Sequence, residues 1–189
     1  VDGQYILHHD GSTGRGCARD LSVTDTPFEQ LATLYLNDRD GHPRCDLRIP
    51  TLRDYVRICR RYGKVGVLEL KMDYTTEQLA EIIAIIREED YLEGITFISF
   101  YQGNMVRLRA LLPDQPCQWL TGDWKPEYLD FLKTYRVGLD IYFGALDQET
   151  LDAVHALGLE VNVWTVDWLE RAAQLVDWGV DFITSNIIE

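Results

Sequence analysis

The feature that most constrains the fold is a rhythm in which short apolar runs bounded by turn residues alternate with longer segments of helical periodicity. A short apolar run with little polar alternation is buried on both faces, and a helix between two such runs carries the chain back for parallel pairing. The pattern is therefore that of βα units on a parallel sheet. Seven strands are predicted: Tyr5 to His9, Val65 to Lys71, Ile95 to Phe100, Cys117 to Leu120, Val137 to Tyr142, Glu160 to Thr165 and Asp181 to Thr184. Amphipathic helices are predicted between them. In Thr76 to Glu89, Leu79, Ile82, Ile83 and Ile86 share one face, with Thr75 and Thr76 placed to cap it. Pro50-Thr51-Leu52-Arg53-Asp54 opens a helix running to Tyr62, Lys125-Pro126-Glu127 one to Tyr135, and Asp147-Gln148-Glu149 one to Leu157. Gly63, Gly158 and Gly179 fall where helices should stop.

The segment Gly11 to Ile49 breaks the rhythm: it is rich in Gly, Asp and Arg, with room for one short helix near Phe28 to Leu36. With 189 residues, 46% of them apolar, the chain reads as a single domain over 1–189, with 11–49 as a loop-rich insertion within it. Seven strands approach the eight of a (β/α)8 barrel, and the shortfall falls at the N-terminal side. The fold class expected is α/β, a TIM-type barrel lacking its first βα unit or units in this chain. A doubly wound open sheet is the alternative, and no GxGxxG turn supports it.

Eighteen Lys and Arg against 31 Asp and Glu give a net charge of -13, which opposes a non-specific grip on nucleic acid or on an anionic membrane. An anionic substrate then needs a local cation. Cys17, Cys45, Cys59 and Cys117 are scattered without zinc-ligand spacing, so free thiols in a reducing, cytoplasmic setting are expected. No apolar stretch is long enough to span a bilayer. The first residue is Val1 rather than Met, so the absence of a signal peptide counts for little, and the natural polypeptide is expected to extend upstream.

Two polar clusters close apolar runs: His8-His9-Asp10 after Tyr5-Ile6-Leu7, and Glu69-Leu70-Lys71 after Val65 to Leu68. Barrel sites are built at the C-terminal ends of strands, where His9, Asp10, Glu69, Lys71, Phe100 and Trp164 all fall. Histidine exchanges protons near neutral pH, a carboxylate holds a hard divalent cation, and a neighbouring lysine binds an anionic oxygen. Each signal has a plain structural reading: a hydrogen-bonded histidine, a strand salt bridge, a core aromatic. Their conjunction on one rim is what points to metal-assisted chemistry on a phosphate ester.

In order along the chain, Asp2-Gly3-Gln4-Tyr5-Ile6-Leu7-His8-His9-Asp10, Ile49-Pro50-Thr51-Leu52-Arg53-Asp54, Val67-Leu68-Glu69-Leu70-Lys71, Ile98-Ser99-Phe100, Val163-Trp164-Thr165-Val166 and Gly179 to Ser185 resemble motifs of the glycerophosphodiester phosphodiesterase family. The resemblance covers essentially the whole chain and implies a barrel of the PLC-like phosphodiesterase kind. It aligns His9, not His8, with a catalytic histidine and Glu69 with a metal-ligating glutamate. The family's opening HRG, ENT and E-x-D segments are absent, only Arg15 is kept from the stretch after His9-Asp10, and Ser185 stands where the family has Asp.

The resemblance implies hydrolysis of a small-molecule glycerophosphodiester to glycerol 3-phosphate and an alcohol. His9 acts in proton transfer, Asp10 orients it or supports the metal shell, and Glu69 holds Mg²⁺ or Ca²⁺. Lys71 contacts a phosphate oxygen, while Trp164 and Phe100 wall the glycerol or alcohol moiety. Two other readings stay open: a non-catalytic barrel that binds a phosphorylated ligand or serves structurally, and a sphingomyelinase D-like lyase. No nucleic acid or transmembrane segment is expected, whereas strand edges left by missing staves favour homo-oligomers. His8, His42 and His155 read as structural or solvated, Arg57, Arg60 and Arg61 as a basic helix surface, and Glu88-Glu89-Asp90 as an acidic run without ligand spacing.

Overall fold

The computed structural model describes residues 2–188. The chain divides into two compact units: the residues up to Lys64 together with Glu81–Gly94, and Val65–Ala80 together with the residues from Ile95 onward.

The second unit is built on six strands, β3 (Gly66–Glu69), β4 (Ile95–Ser99), β5 (Cys117–Thr121), β6 (Gly138–Tyr142), β7 (Val161–Trp164) and β8 (Phe182–Ile183). They pair in sequence order, and every pair is parallel. Helices α4 (Gln102–Leu111), α5 (Tyr128–Tyr135), α6 (Gln148–His155) and α7 (Leu169–Trp178) carry the chain between successive strands, and α3 (Thr76–Glu88) lies between β3 and β4. Unbroken sequential parallel order is how consecutive staves of a (β/α)8 barrel run, and the fold is of that α/β class. Each of the six predicted strands from Val65 onward is present; five are shortened by a residue or two at their ends, and the one from Cys117 runs one residue further, to Thr121.

Alternation of side chains along each strand divides the sheet into two faces. Register puts Leu68, Phe97, Trp119, Leu139, Ile141, Val161 and Val163 on one face, all of them buried. The other face carries Glu69, Gln118, Asp140, Asn162 and Trp164, while Ser99 and Thr121 share the first face with the aliphatic row. Gly138 is required by close packing: a Cβ there would lie 2.9 Å from both the Gln118 side chain and the Glu160 carbonyl oxygen.

In the first unit, α1 (Phe28–Leu31) is followed by an antiparallel hairpin of β1 (Tyr35–Asn37) and β2 (Pro43–Arg48). Cys17, Leu31, Leu34 and Ile49 form its small core, with Ile6, Leu21 and Leu36 packed against it. Helix α2 (Leu52–Tyr62) begins with a capping box in which Thr51 and Asp54 exchange hydrogen bonds, and it ends on Gly63 at a φ of 58°.

Three sequence expectations are corrected in this unit. Tyr5 to His9 is not a strand: Ile6 makes a single antiparallel bridge to Thr51, flanked by Leu7 N–H to the Pro50 carbonyl and Leu52 N–H to the Tyr5 carbonyl. The helix near Phe28 stops at Leu31, and the following residues form the β1–β2 hairpin rather than loop. The arginines of α2 are not simply solvated. Arg53 and Arg57 donate to the Glu89 carboxylate at 2.5 and 2.9 Å, Arg53 also reaches Glu88, and Arg60 donates to the Glu89 carbonyl. These guanidinium groups, Arg57 foremost, hold the Glu89 carboxyl below its usual range.

Candidate active site

Strand β3 ends at Glu69, and alternation turns its side chain to the polar face. Two residues on, Lys71 returns along that edge, and its Nζ lies 2.6 Å from Glu69 Oε2. The backbone beyond is fixed by two fully buried polar side chains that sequence reasoning did not single out. Ser99 Oγ donates to the Leu70 carbonyl at 2.7 Å. Asn104 Nδ2 donates to the Met72 carbonyl at 2.6 Å and to Ser99 Oγ at 3.0 Å, while its Oδ1 accepts the Tyr74 N–H at 2.9 Å. A buried Ser at a strand end, five residues before a buried Asn, is the signal that could have found them, because neither belongs in a core without backbone to satisfy.

Phe100 follows β4, and Trp164 ends β7. Their rings meet edge to face with centroids 5.8 Å apart, and Trp164 also packs on Tyr142 at 5.8 Å. The Trp164 indole N–H points down the sheet to the Asp140 carbonyl at 3.4 Å. The structure thus brings Glu69 to Lys71 and Phe100 to Trp164.

Below this rim sits a polar layer missed from the sequence. Asp140 and Asn162 are register partners on β6 and β7, each almost fully buried, and the Oδ1 atom of each is buried without a hydrogen-bond partner. Burial first, and the charge of Glu69 second, push the Asp140 carboxyl up to about 8. Asp140 therefore holds a proton at neutral pH, and its environment registers the charge on Glu69. The signal was available in Gly-Leu-Asp-Ile-Tyr and Val-Asn-Val-Trp, each with a single polar residue inside a buried strand.

In the first unit, His9 lies exposed beside Asp10 and Arg15. His9 Nδ1 is 2.7 Å from Asp10 Oδ1, and Arg15 clamps the same carboxylate through Nε at 2.5 Å and Nη2 at 3.0 Å. Arg15 Nη2 also approaches His9 Nδ1 at 2.9 Å. Nδ1 cannot both donate to Asp10 and accept from Arg15; the shorter contact, to an anion, favours Nδ1–H donation and leaves Nε2 as the basic nitrogen. His9 first and Arg15 second lower the Asp10 carboxyl to about 2. His8 is held by the Ser12 carbonyl at 2.9 Å, and His155 contacts Asp181 at 3.0 Å.

A cleft of about 540 Å³ at the opposite, N-terminal edge of the sheet, lined by Arg109, Cys117, Gly138 and Glu160 among others, has a structural character. Its Arg109 guanidinium donates to the carbonyls of Pro113, Gln115, Tyr135 and Arg136, tying loops together. Among the described residues no three His, Cys, Asp or Glu side chains converge as a metal centre, and no helix is long and apolar enough to cross a membrane.

Sequential parallel staves with a carboxylate–lysine pair and an aromatic wall at their C-terminal ends define a barrel-type α/β enzyme. The chain belongs to the glycerophosphoryl diester phosphodiesterase family, whose model matches residues 1–189. It is similar to a glycerophosphodiester phosphodiesterase of Bacillus subtilis, 24% identical, with 98% of this chain and 70% of that protein covered. Among solved structures, it is similar to a phosphodiesterase from Oleispira antarctica in complex with the product sn-glycerol-3-phosphate, with a TM-score of 0.80 at 23% identity, covering 97% of this chain and 76% of the other. A glycerophosphodiester phosphodiesterase from Parabacteroides distasonis matches with a TM-score of 0.76 at 24% identity, covering 96% and 74%.

Proposed function

We propose that this protein hydrolyses glycerophosphodiesters to glycerol 3-phosphate and an alcohol, with divalent-metal dependence and histidine acid–base catalysis. The observation that carries the reading is the Glu69–Lys71 pair at the C-terminal edge of β3, set in a member of a phosphodiesterase family. It supplies the local cation that a protein of net charge -13 needs in order to hold a phosphate.

Each residue has a defined task. Lys71 donates to a non-bridging phosphate oxygen as a compact point charge. Phe100 and Trp164 wall the ester substituents and exclude water. His9, its Nδ1 committed to Asp10, moves a proton at Nε2. As the ester bond breaks, the oxygen of the nucleophile bonds to phosphorus and the leaving alkoxide takes up a proton. Asp10, clamped by Arg15, holds the imidazole in one tautomer.

Glu69 has the hard oxygen chemistry that Mg²⁺ or Ca²⁺ requires, and the unpartnered Asp140 Oδ1 in the same unit adds a second carboxyl within reach of its charge. Glu69 is the residue proposed to hold the ion. When bound, a divalent cation neutralises charge on phosphate oxygens. A cytoplasmic location belongs to the same proposal, supported by four cysteines that are all free.

The test is product analysis of the protein on glycerophosphocholine and on sphingomyelin, with His9→Ala alongside. Release of glycerol 3-phosphate, lost in the variant, is the expected result. A cyclic phosphate from sphingomyelin instead would move the protein to the lyase reading. Phosphate-ester binding without turnover of either substrate would make it a non-catalytic member.

A further inference from the structure

The aromatic wall does not stop at Phe100 and Trp164. From Trp164 it continues through Tyr142 to Phe143, and from Phe143 to Trp168, with successive ring centroids 5.8, 4.8 and 5.6 Å apart. The five rings come from three βα connections of one unit and form a continuous ribbon along the C-terminal side of the sheet. At its outer end Trp168 is 58% exposed and Leu169 70% exposed. Large apolar side chains left in water in such a contiguous row mark a binding surface. The ribbon begins at Phe100, next to Ser99, whose Oγ holds the Leu70 carbonyl between Glu69 and Lys71, and its five rings extend beyond what glycerol or a short alcohol would touch.

Two features decide what kind of group fits. The ring pairs are edge-to-face or tilted side by side, so they form a track rather than a cage of convergent faces. Arg171 already sits over the Phe143 ring at 5.9 Å and donates to the Phe143 carbonyl at 2.8 Å, so a cationic head group would meet a like charge there. Both features disfavour a quaternary ammonium and suit an uncharged chain.

We propose that this ribbon is the subsite for the alcohol half of the substrate, and that this alcohol carries a single long acyl or alkyl chain. The inference rests on the proposed phosphodiester chemistry at Lys71 and Glu69, and it names a substrate class: dispersed single-chain phosphodiesters, such as a glycerophosphodiester of a monoacylglycerol. Water adds across the phosphorus–oxygen bond to that alcohol, giving glycerol 3-phosphate and the chain-bearing alcohol, with the proton passing to the released alkoxide. An anionic lipid surface is a poor partner for a chain of net charge -13, so the ligand is the dispersed molecule.

The test is calorimetric titration of the protein with methyl phosphate and with decyl phosphate, kept below the concentration at which the chains self-associate, so that no chemistry is required. Partial burial of the chain on the ribbon should make decyl phosphate bind about tenfold tighter or better. In Trp168→Ser/Leu169→Ser the ratio of the two affinities should fall toward one. Serine is a good residue at the N-cap position that Trp168 occupies, so the helix is not put at risk. Equal affinities in the unsubstituted protein, a ratio that survives the double substitution, or binding seen only with micelles would each overturn the proposal. Failure to release glycerol 3-phosphate from any glycerophosphodiester would sink the catalytic reading while leaving this ratio to be read independently.

Discussion

Lys71 Nζ lies 2.6 Å from Glu69 Oε2 at the C-terminal end of β3, so each charge is held in place by the other. A lysine so restrained offers a phosphate oxygen a fixed position. Glu69→Gln keeps the shape and removes the charge. It should lower kcat/KM on glycerophosphocholine by about two orders of magnitude and raise the divalent-ion concentration needed for half-maximal rate. Lys71→Met should act mainly on KM if the lysine contacts phosphate in the bound substrate as well as in the transition state. Steady-state kinetics across a metal titration reads both, and an unchanged metal requirement in Glu69→Gln would remove Glu69 from the ion's ligands.

His9 and Asp10 give a prediction in the pH profile. Because Asp10 holds Nδ1–H, loss of its carboxylate frees the ring to rotate and change tautomer. His9→Ala should lower kcat by about 10²- to 10⁴-fold. Asp10→Asn should lower it less, because the amide still reaches the ring without fixing its tautomer. Asp10 titrates at about 2, so Asp10 itself should produce no inflection between pH 4 and 9. Rates measured from pH 4 to 9 decide the point.

The six staves were legible because strands buried on both faces leave apolar runs that composition alone reveals, as in Ile95 to Ser99 and Val161 to Trp164. The β1–β2 hairpin was not legible in that way, since all six residues of β2 are exposed and no apolar alternation marks it. Its signal lay in the turn, where Asp38 Oδ1 accepts from the backbone of Asp40 and His42 and Gly41 adopts a φ of 85°. At the site, strand-end residues such as Glu69 and Trp164 could be named from position. Asn104 could not, because its role depends on reaching the carbonyl of Met72, 32 residues away in sequence. Pairing of Arg53 and Arg57 with Glu89 was hidden for the same reason.

Thr51 offers a stability test that leaves the chemistry alone. Its side chain accepts from the Asp54 N–H, and the Asp54 carboxylate accepts from the Thr51 N–H at 3.0 Å, so two helix-terminal donors are satisfied together. Thr51→Ala should cost about 1 kcal/mol. Urea denaturation should show a lower midpoint with an unchanged slope; a changed slope would mean that the substitution had altered more than the cap.

Asp140 yields the sharpest pH dependence. Its carboxyl is pushed up to about 8 in the folded chain, against about 4 when unfolded, so between those values the folded state holds a proton that the unfolded state has released. More protons bound to the folded state means that stability falls as pH rises across the window, by at most about 1.4 kcal/mol per pH unit for this one group. Asp140→Asn carries no such proton, so its stability should gain on the parent as pH rises from 4 to 8 and run parallel to it below pH 4. Because Glu69 is the second cause of the shift, Glu69→Gln should lower the upper end of the window without abolishing it. Burial, the first cause, remains in that variant. Denaturation series at half-unit pH intervals on the parent and both variants measure this slope directly. A parent whose dependence on pH matches that of Asp140→Asn would show that the carboxyl is ionised in the folded protein, with a hydrogen-bonding or cationic partner at its Oδ1.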